Sequence, residues 1–283
     1  MNLPLVSVGM PVLNGGLMFQ HALKSILEQD YDNLEIIISD NASSDGTKEF
    51  CKRMMKLDSR IRYIRQTTTI SAFSNLNFVL DLAQGEFFMW AAHDDLRSNN
   101  FVSENLNALI LDKGAILSFG KLRISTSHGS EGVPVKYDFK NGHLGNITRL
   151  RKQALMQCFH IYGLWRTKEL RLIPKIHCPW WFDLPLMMAA SLIGNFVEAP
   201  MSTFISLDVP KSDEERSKYQ DGTKTKSKIE NIAKLLNNTF HVLRRTTSIK
   251  LTLLSLVFVT EKNVRFSFIS LRRKFKYLFL LSK

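Results

Sequence analysis

The sequence predicts an α/β fold, with a mainly parallel sheet flanked by helices. Short apolar runs typical of buried strands alternate with segments of helical spacing over the first 120 residues. Polar residues follow several of these runs, where parallel sheets bind their ligands. At 283 residues and 45% hydrophobic, the chain can also bury a full core. Together these observations favour one large strand–helix domain.

Four strand–helix units make up the first part of this domain. The predicted strands, in order, are 5–10, 34–39, 61–66 and 86–91. The predicted helices are 17–29, a helix capped by Ser43 or Ser44 and running to Leu57, 73–83, and one from about Ser98.

The second part is less regular. We expect a strand at 115–119, a polar loop at 125–146 and a helix around 148–158. A helix, a glycine turn and a strand are then expected within 178–206. Residues 208–228 are polar and charged and are predicted to be a linker.

Charge divides the chain into a body, 1–210, and a basic tail, 211–283. The net charge is +12, and the tail holds 17 of the 38 Lys and Arg but only 6 of the 26 Asp and Glu. Such an asymmetry indicates an anionic partner surface, either a membrane or a nucleic acid.

Cysteine usage and hydropathy bear on the compartment. The three cysteines show no C-x-x-C spacing, which argues against a disulfide framework and for a reducing environment. The opening residues lack the basic and apolar regions of a signal peptide, and no run of 18 uninterrupted apolar residues occurs. We therefore expect a cytoplasmic protein without a membrane-spanning segment.

The most informative stretch is AQGEFFMWAAHDD (83–95), a strand that ends in Asp94 and Asp95. Adjacent carboxylates repel each other, and burial adds to the free energy of ionising them. Divalent cations such as Mg²⁺ favour such oxygen ligands and usually arrive with a phosphate. Asn14 and Asp40 also follow predicted strands, so three segments meet at one edge of the sheet. This edge is predicted to bind a nucleoside diphosphate.

Several motifs resemble those of family 2 glycosyltransferases, which have the GT-A (Rossmann-like) fold. VSVGMPVLNGG is similar to the opening strand and P-x-x-N turn of that family, and IIISDNASSDGT is close to its D-[DN]-x-S-x-D-G-T signature. Asn77 stands eight residues before Gly85, as in the N-x7-G helix, and FMWAAHDD occupies the place of the D-x-D element. His93 stands where the first Asp often stands. YGLWRTKEL and FDLPLMMAASLIGNFVEAP resemble the acceptor-side segments, so the resemblance covers about 4–206.

The resemblance implies an inverting transfer of a sugar, a hexosyl group, from a nucleotide-sugar donor to an acceptor hydroxyl. The donor is expected to be a UDP-sugar, and the cofactor Mn²⁺ or Mg²⁺. Within the body, about 1–120 would bind the nucleotide and about 120–206 the acceptor. The implied donor-binding residues are Pro11, Val12, Asn14, Asp40, Asn41, Asn77 and Asp94.

The remaining implied roles are chemical. Asp95 would bind the metal, with His93 as a further ligand, and Asp183 would be the general base. The aromatic residues before Asp183, Trp180, Trp181 and Phe182, would raise its carboxyl pKa toward the working pH and could also hold a sugar ring.

Each of these residues also has a structural interpretation. Asp40-Asn41, Asp94-Asp95 and Asp183 could cap helices, and Asp45 is expected to stabilise a helix N-terminus. His93 could orient a neighbour instead of binding metal, and Trp180 and Trp181 could belong to the core.

The tail has two open interpretations. IKLTLLSLVFV (249–259) is too short to cross a bilayer. VRFSFISLRRKFKYLFLLSK (264–283) interleaves apolar residues with Lys and Arg, a pattern that suits a helix lying on an anionic membrane. The alternative is a helix packed on the body. The first interpretation predicts a peripheral protein at the inner face of the cell membrane, acting on a glycan or lipid-linked acceptor in cell-surface polysaccharide synthesis.

Three competing functions were considered. A sugar nucleotidyltransferase would need a basic, glycine-rich loop, and PVLNGGLMFQ lacks Arg and Lys. A nucleic-acid-binding protein could use the basic tail, but the acidic edge would then be unexplained, so no nucleic-acid partner is expected. A catalytically degenerate transferase is suggested by His93 and by Leu207-Asp208-Val209, which replaces the Arg-His-type element expected after the last strand.

Overall fold

The computed structural model describes most of the body and a few positions of the tail. The described ranges are 3–126, 133–135, 158–175, 183–208 and 239–245, with the single positions 148, 150, 153, 236, 237, 247 and 259. Trp180, Trp181 and Phe182, the predicted linker except its first residue, and the predicted interfacial segment 264–283 lie outside the described residues.

The first half is a parallel sheet with an intervening helix after each strand, as predicted. Its elements are β1 (Val6–Val12), α1 (Gly16–Leu27), β2 (Leu34–Asp40), α2 (Thr47–Leu57), β3 (Ile61–Arg65), α3 (Ala72–Leu82) and β4 (Phe87–Trp90). The strand order is β3-β2-β1-β4, and all three pairings are parallel. The carboxyl ends of these strands therefore lie on one edge, which we call the rim.

The second half extends this sheet with strands of both directions. Its elements are β5 (Asp95–Arg97), α4 (Phe101–Leu111), β6 (Ala115–Thr126), β7 (Val133–Val135), a 3₁₀ turn (Phe159–Tyr162), β8 (Leu164–Arg166), a helical turn (Thr167–Leu170), α5 (Asp183–Ile193) and β9 (Asn195–Asp208). The order continues β4-β8-β6-β9-β5, with β7 beside β6. β9 is parallel to β6, whereas β8 and β5 are antiparallel to their neighbours.

Three local predictions were wrong. The helix α2 begins at Thr47, and neither Ser43 nor Ser44 caps it, because the Asp45 carboxylate accepts the Thr47 N–H at 3.0 Å. The strand β5 was not predicted, since it is only three residues long and follows the acid pair directly. The polar loop expected from residue 125 contains the end of β6 and the strand β7.

Two apolar layers sandwich the sheet. One contains α1 and α4, with Phe19, Leu23 and Phe101 packed on the strands. The other contains α3 and α5, with Val79 and Met187 packed on Phe88 and Trp90. Close contact with the second layer requires a glycine in β1, since a Cβ on Gly9 would lie 2.7 Å from Val79.

Part of the basic tail belongs to the second layer. Val242, Leu243 and Val259 are almost fully buried in the same cluster as α3 and α5. These three positions pack on the body, and the two interpretations of 264–283 both stay predictions. Among the described residues, no helix combines the length and the apolar character needed to cross a bilayer.

Candidate active site

The loops after β1 and β2 are joined by hydrogen bonds at the rim. Asn14 adopts a left-handed backbone conformation (φ 51°), which asparagine tolerates better than most residues. Its N–H donates to Ser43 Oγ at 2.9 Å, and its side-chain oxygen accepts the Ser44 N–H at 2.8 Å. Asp45 accepts the Gly16 N–H at 3.1 Å, as well as the N–H of Thr47. Asp45 thus stabilises the N-termini of α1 and α2, which is the structural role predicted for it.

Asp40 ends β2 with its side chain fully buried. Its carboxylate accepts the Ser43 N–H at 2.8 Å, the Tyr63 hydroxyl at 2.7 Å and the Arg65 Nη1–H at 2.7 Å. Burial alone would raise the pKa of Asp40, but these hydrogen bonds outweigh it and lower the pKa below its ordinary value. The carboxylate is therefore ionised and largely saturated by its own chain. Direct recognition of a nucleobase by Asp40 remains a prediction.

Asn41, Val12, Pro11 and Asn77 are placed differently from one another. The Asn41 N–H donates to the Val12 carbonyl at 2.8 Å, and its side chain exchanges two hydrogen bonds with the backbone of Ile70. The Val12 side chain is buried in the core, while Pro11 is half-buried. Asn77 lines a cavity between α3 and α5, together with Trp90 and other residues. The structure thus brings Asn41 and Val12 to the rim beside Asp40 and places Asn77 on the α5 side of the sheet.

The acid pair lies where β4 gives way to β5. Asp94 is half-buried, whereas Asp95 is 6% exposed and pairs with Ser206 of β9. Burial, and then the charge of Asp94, raise the pKa of Asp95 to about 6, although Arg97, the Ser206 side chain and the Leu207 N–H act in the opposite direction. Unlike Asp40, this carboxylate is not fully compensated by the protein.

Arg97 ends β5, two residues after Asp95, and is 4% exposed. Its Nη2 donates to the Trp90 carbonyl at 2.7 Å and to the Tyr162 carbonyl at 3.2 Å. The guanidinium carbon lies 5.3 Å from the ring centres of Phe101 and Phe204. Nε and Nη1 find no hydrogen-bond partner among the described residues. Burial lowers the pKa of Arg97 to about 10, so the group stays charged at neutral pH.

Asp183, the predicted base, is the first residue of α5, and its carboxylate accepts the Leu184 N–H at 2.9 Å. Tyr162 stacks on Phe204, with the two ring centres 5.5 Å apart. Burial raises the pKa of the Tyr162 phenol, and the charges of Asp95, Asp94 and Asp183 raise it further. The charges of all three carboxylates thus act on one phenol, and a meeting of the predicted metal side and base side there remains a prediction.

The donor set at the rim suits a hard cation that brings ligands of its own. No group of three His, Cys, Asp or Glu side chains arranged to hold a metal occurs within the part of the chain that the structure describes. Two adjacent carboxylates, one of them buried, nevertheless fit Mg²⁺ or Mn²⁺ bound through one or two protein oxygens plus the oxygens of a diphosphate. Asp95, with Asp94 and His93 beside it, could hold such an ion.

Sequence reasoning missed Arg65, Arg97, Tyr162 and Ser206. Arg65 had been interpreted only as part of a strand, and Tyr162 only as part of a segment resembling the acceptor side. Arg97 follows the acid pair by two residues, which is a signal that could have been noticed. Ser206 reaches Asp95 through a strand pairing across 111 residues, for which the local sequence holds no signal.

Comparison with known proteins agrees with this geometry. The sequence model of "glycosyl transferase family 2" matches residues 7–166. The glycosyltransferase GlyG of Streptococcus pneumoniae serotype 4 is 32% identical over 116 residues, 41% of this chain and 38% of GlyG. A Campylobacter jejuni protein named GalNAc(5)-diNAcBac-PP-undecaprenol beta-1,3-glucosyltransferase is 40% identical over 94 residues, 33% of this chain and 30% of that protein. The chain thus matches less than two fifths of the length of either relative.

Solved structures share the fold over nearly the whole chain. Staphylococcus aureus TarS (residues 1–349), in complex with UDP-GlcNAc, superposes with a TM-score of 0.67 at 15% identity, over 93% of this chain and 73% of the other. The mannosyltransferase PcManGT of Pyrobaculum calidifontis, in complex with GDP-Man and Mn²⁺, gives a TM-score of 0.58 at 16% identity, over 99% and 81%. The predicted GT-A fold is confirmed.

The hydrogen bonds of Asp40 lead to a pH prediction. We expect Asp40→Asn to lower the free energy of unfolding by roughly 2 kcal/mol at pH 7, because hydrogen bonds to an ionised group are lost. The pKa of Asp40 is lowered on folding, so its contribution is present above the pKa of the unfolded chain, about 3.9, and is lost as the pH falls through the folded value. The wild-type protein should therefore lose more stability below about pH 4 than the variant.

Urea unfolding between pH 3 and 7 measures this difference. Asp81→Asn is the control, because the Asp81–Lys175 pair is half-exposed and should change stability by less than about 1 kcal/mol. Equal pH dependence in Asp40→Asn and the wild type would contradict the assignment.

Proposed function

Because the chain belongs to glycosyl transferase family 2, we propose that it moves a hexosyl group from a nucleotide sugar to an acceptor hydroxyl, with inversion at the anomeric carbon. The observation that carries this proposal is the acid pair Asp94–Asp95 where β4 ends, with Asp183 at the start of α5 as the candidate base. Displacement of a nucleoside diphosphate needs a charged donor side next to a basic acceptor side. Asp94 and Asp95 would serve the donor side, and Asp183, from a distant chain segment, would serve the acceptor side.

Asp183 is the proposed general base. It takes the proton of the acceptor hydroxyl as that oxygen forms a bond to the anomeric carbon. The bond from that carbon to the diphosphate oxygen breaks at the same time, and the diphosphate leaves with the electron pair. Because attack and departure take place on opposite faces of the sugar, one displacement inverts the anomeric configuration.

The donor nucleotide is proposed to lie along the rim formed by the loops after β1, β2 and β4. Asn14 and Asn41 join the loops after β1 and β2, Asp40 holds the second of these through the Ser43 N–H, and Asp94 follows β4. Pro11 and Val12 would lie beside the nucleobase of the donor, and Asn77 would contact the donor from α3. A UDP-sugar is proposed from the family resemblance, and the fold neighbours include one bound to UDP-GlcNAc and one bound to GDP-Man.

A divalent ion, Mn²⁺ or Mg²⁺, would supply positive charge opposite the leaving diphosphate. Asp95 is the proposed ligand, and His93 is a further candidate beside it. The raised pKa of Asp95 supports this assignment, since a nearby cation would favour the ionised carboxylate.

The acceptor is proposed to be a lipid-linked glycan, and the pathway cell-surface polysaccharide synthesis. The name of the Campylobacter relative includes an undecaprenyl-diphosphate-linked glycan, and the tail carries 17 Lys and Arg against 6 Asp and Glu. A basic tail on an anionic membrane would bring the enzyme to such an acceptor at the inner face of the membrane. In this proposal the body, 1–210, carries the chemistry and 211–283 the membrane contact.

Charge substitutions in the tail test the membrane contact. Replacing Arg272, Arg273, Lys274 and Lys276 with Gln should release the protein from anionic vesicles in a sedimentation assay, because each basic residue near the surface contributes about 1 kcal/mol. Substitution is preferable to deletion from residue 249, which would remove the buried Val259. Binding that persists after the substitutions, or a wild type that never binds, would contradict this contact.

Calorimetric titration with UDP and GDP, with and without Mn²⁺, tests the donor assignment. We expect binding of UDP that strengthens when Mn²⁺ is present, and loss of this Mn²⁺ effect in Asp95→Ala. Preference for GDP would correct the donor class. Binding of neither nucleotide would favour a catalytically degenerate family member, in which His93→Asp is the first change to make.

Substitution of the proposed base separates chemistry from binding. Asp183→Asn should lower the transfer rate at least ~100-fold while nucleotide binding stays close to that of the wild type. Asn retains the oxygen that accepts the Leu184 N–H, so the start of α5 is preserved.

Asp112→Asn is the matched control for this substitution. The Asp112 carboxylate also accepts backbone N–H groups, from Gly114 and from Ala115 at the start of β6, and the change should leave the transfer rate unaltered. An unchanged rate in Asp183→Asn would remove Asp183 as the base, and loss of UDP binding would move it to the donor side.

A further inference from the structure

Arg97 is a buried cation, and none of its hydrogen bonds among the described residues goes to a negatively charged group. Both of its recorded acceptors, the Trp90 and Tyr162 carbonyls, are neutral, and two of its nitrogens have no partner among the described residues. The flanking rings of Phe101 and Phe204 attract a cation but do not neutralise it. Burying an arginine in this way is unfavourable for folding, so packing alone does not account for it.

Arg166 offers a comparison with Arg97, because it makes similar contacts at a distance from the acid pair. Arg166 donates to the Leu109 carbonyl at 2.7 Å and the Ala115 carbonyl at 3.0 Å, and it lies 5.4 Å from the ring centre of Phe87. It pairs with the first residue of β4, at the opposite end of the strand from Asp94 and Asp95. The two arginines therefore share a mode of contact, and Arg166 lies at the end of β4 away from the acid pair.

The position of Arg97 links it to the charge at the rim. It is the last residue of the strand that Asp95 begins, and its electrostatic interaction with Asp95 is favourable to both groups. A fixed positive charge beside two carboxylates reduces the attraction that these carboxylates exert on a free divalent cation.

We propose that Arg97 is a built-in counter-cation of the Asp94–Asp95 pair, which keeps the affinity for a free divalent ion low so that the ion binds together with the nucleoside diphosphate. The inference rests on the proposed function, since it assumes that the acid pair binds an ion. Arg97 is a positioning residue in this scheme: it touches neither donor nor acceptor and acts through Asp95. The diphosphate supplies negative charge and oxygen ligands in addition to those of the partly compensated pair.

The test is the affinity of the nucleotide-free protein for Mn²⁺, measured by the paramagnetic resonance signal of the free ion at pH 8. The wild type should bind Mn²⁺ more weakly than about 100 µM, and UDP or GDP should tighten this binding at least about tenfold. Arg97→Met should tighten nucleotide-free binding roughly tenfold, because removing a nearby cation favours another. Arg97→Lys, which keeps the charge, should stay within about twofold of the wild type.

Arg166→Met is the matched control. It removes an arginine of the same contact type, so it should lower thermal stability as Arg97→Met does while leaving Mn²⁺ affinity unchanged. A purely structural role of Arg97 predicts equal Mn²⁺ affinity in all variants, and that result would overturn the proposal.

Two further outcomes keep the inference separate from the proposed function. If Arg97→Met does not fold, the wild type decides, because nucleotide-free Mn²⁺ binding tighter than about 10 µM would overturn the proposal. If Mn²⁺ fails to bind even with UDP or GDP present, the metal assignment itself fails, and the role of Arg97 fails with it.

Discussion

Electrostatic repulsion among carboxylates is the constraint on which the arrangement of this rim depends. A parallel sheet brings the ends of its strands to one edge, so Asp40, Asp94 and Asp95 lie along one side of the molecule, and α5 adds Asp183. Ionised groups in such proximity, partly out of water, destabilise the folded state unless positive charge or hydrogen bonds offset the repulsion. Much of the local structure can be understood as a response to this problem.

The repulsion is offset differently at Asp40 and at Asp95. Asp40 is satisfied by Ser43, Tyr63 and Arg65, and its pKa is lowered. Asp95 keeps a raised pKa despite Arg97. A carboxylate that the protein satisfies completely stabilises the fold, and one left partly uncompensated is available to a cationic ligand. The contrast distinguishes a carboxylate offset by its own chain from one whose charge is offset only in part.

The sequence was sufficient for the elements whose information is local. Apolar runs and turn residues predicted β1 to β4 and their helices, because a buried strand needs continuous apolar residues whatever its neighbours are. The role of Asp45 at a helix N-terminus was also predicted correctly, because its bond to the Thr47 N–H is local in sequence. The capping role of Ser43 and Ser44 was predicted wrongly, since their groups bond to Asn14 and Asp40 instead. The environment of Arg97, Tyr162 and Ser206 depends on pairing between distant segments, which no local pattern encodes.

The pairing of β5 with β9 also has a consequence for the order in which the molecule is built. During synthesis the first four strands emerge early and can fold into a sheet, but Asp95 begins a strand whose partner starts at Asn195 and reaches it at Ser206. Contacts so far apart in the chain form late and slowly. The nascent chain therefore carries an acidic edge that is not yet framed, and the surroundings of Asp95 become complete only when the last strand of the body pairs with β5. A chain truncated before β9 would keep the first four strands but leave Asp95 without its strand partner.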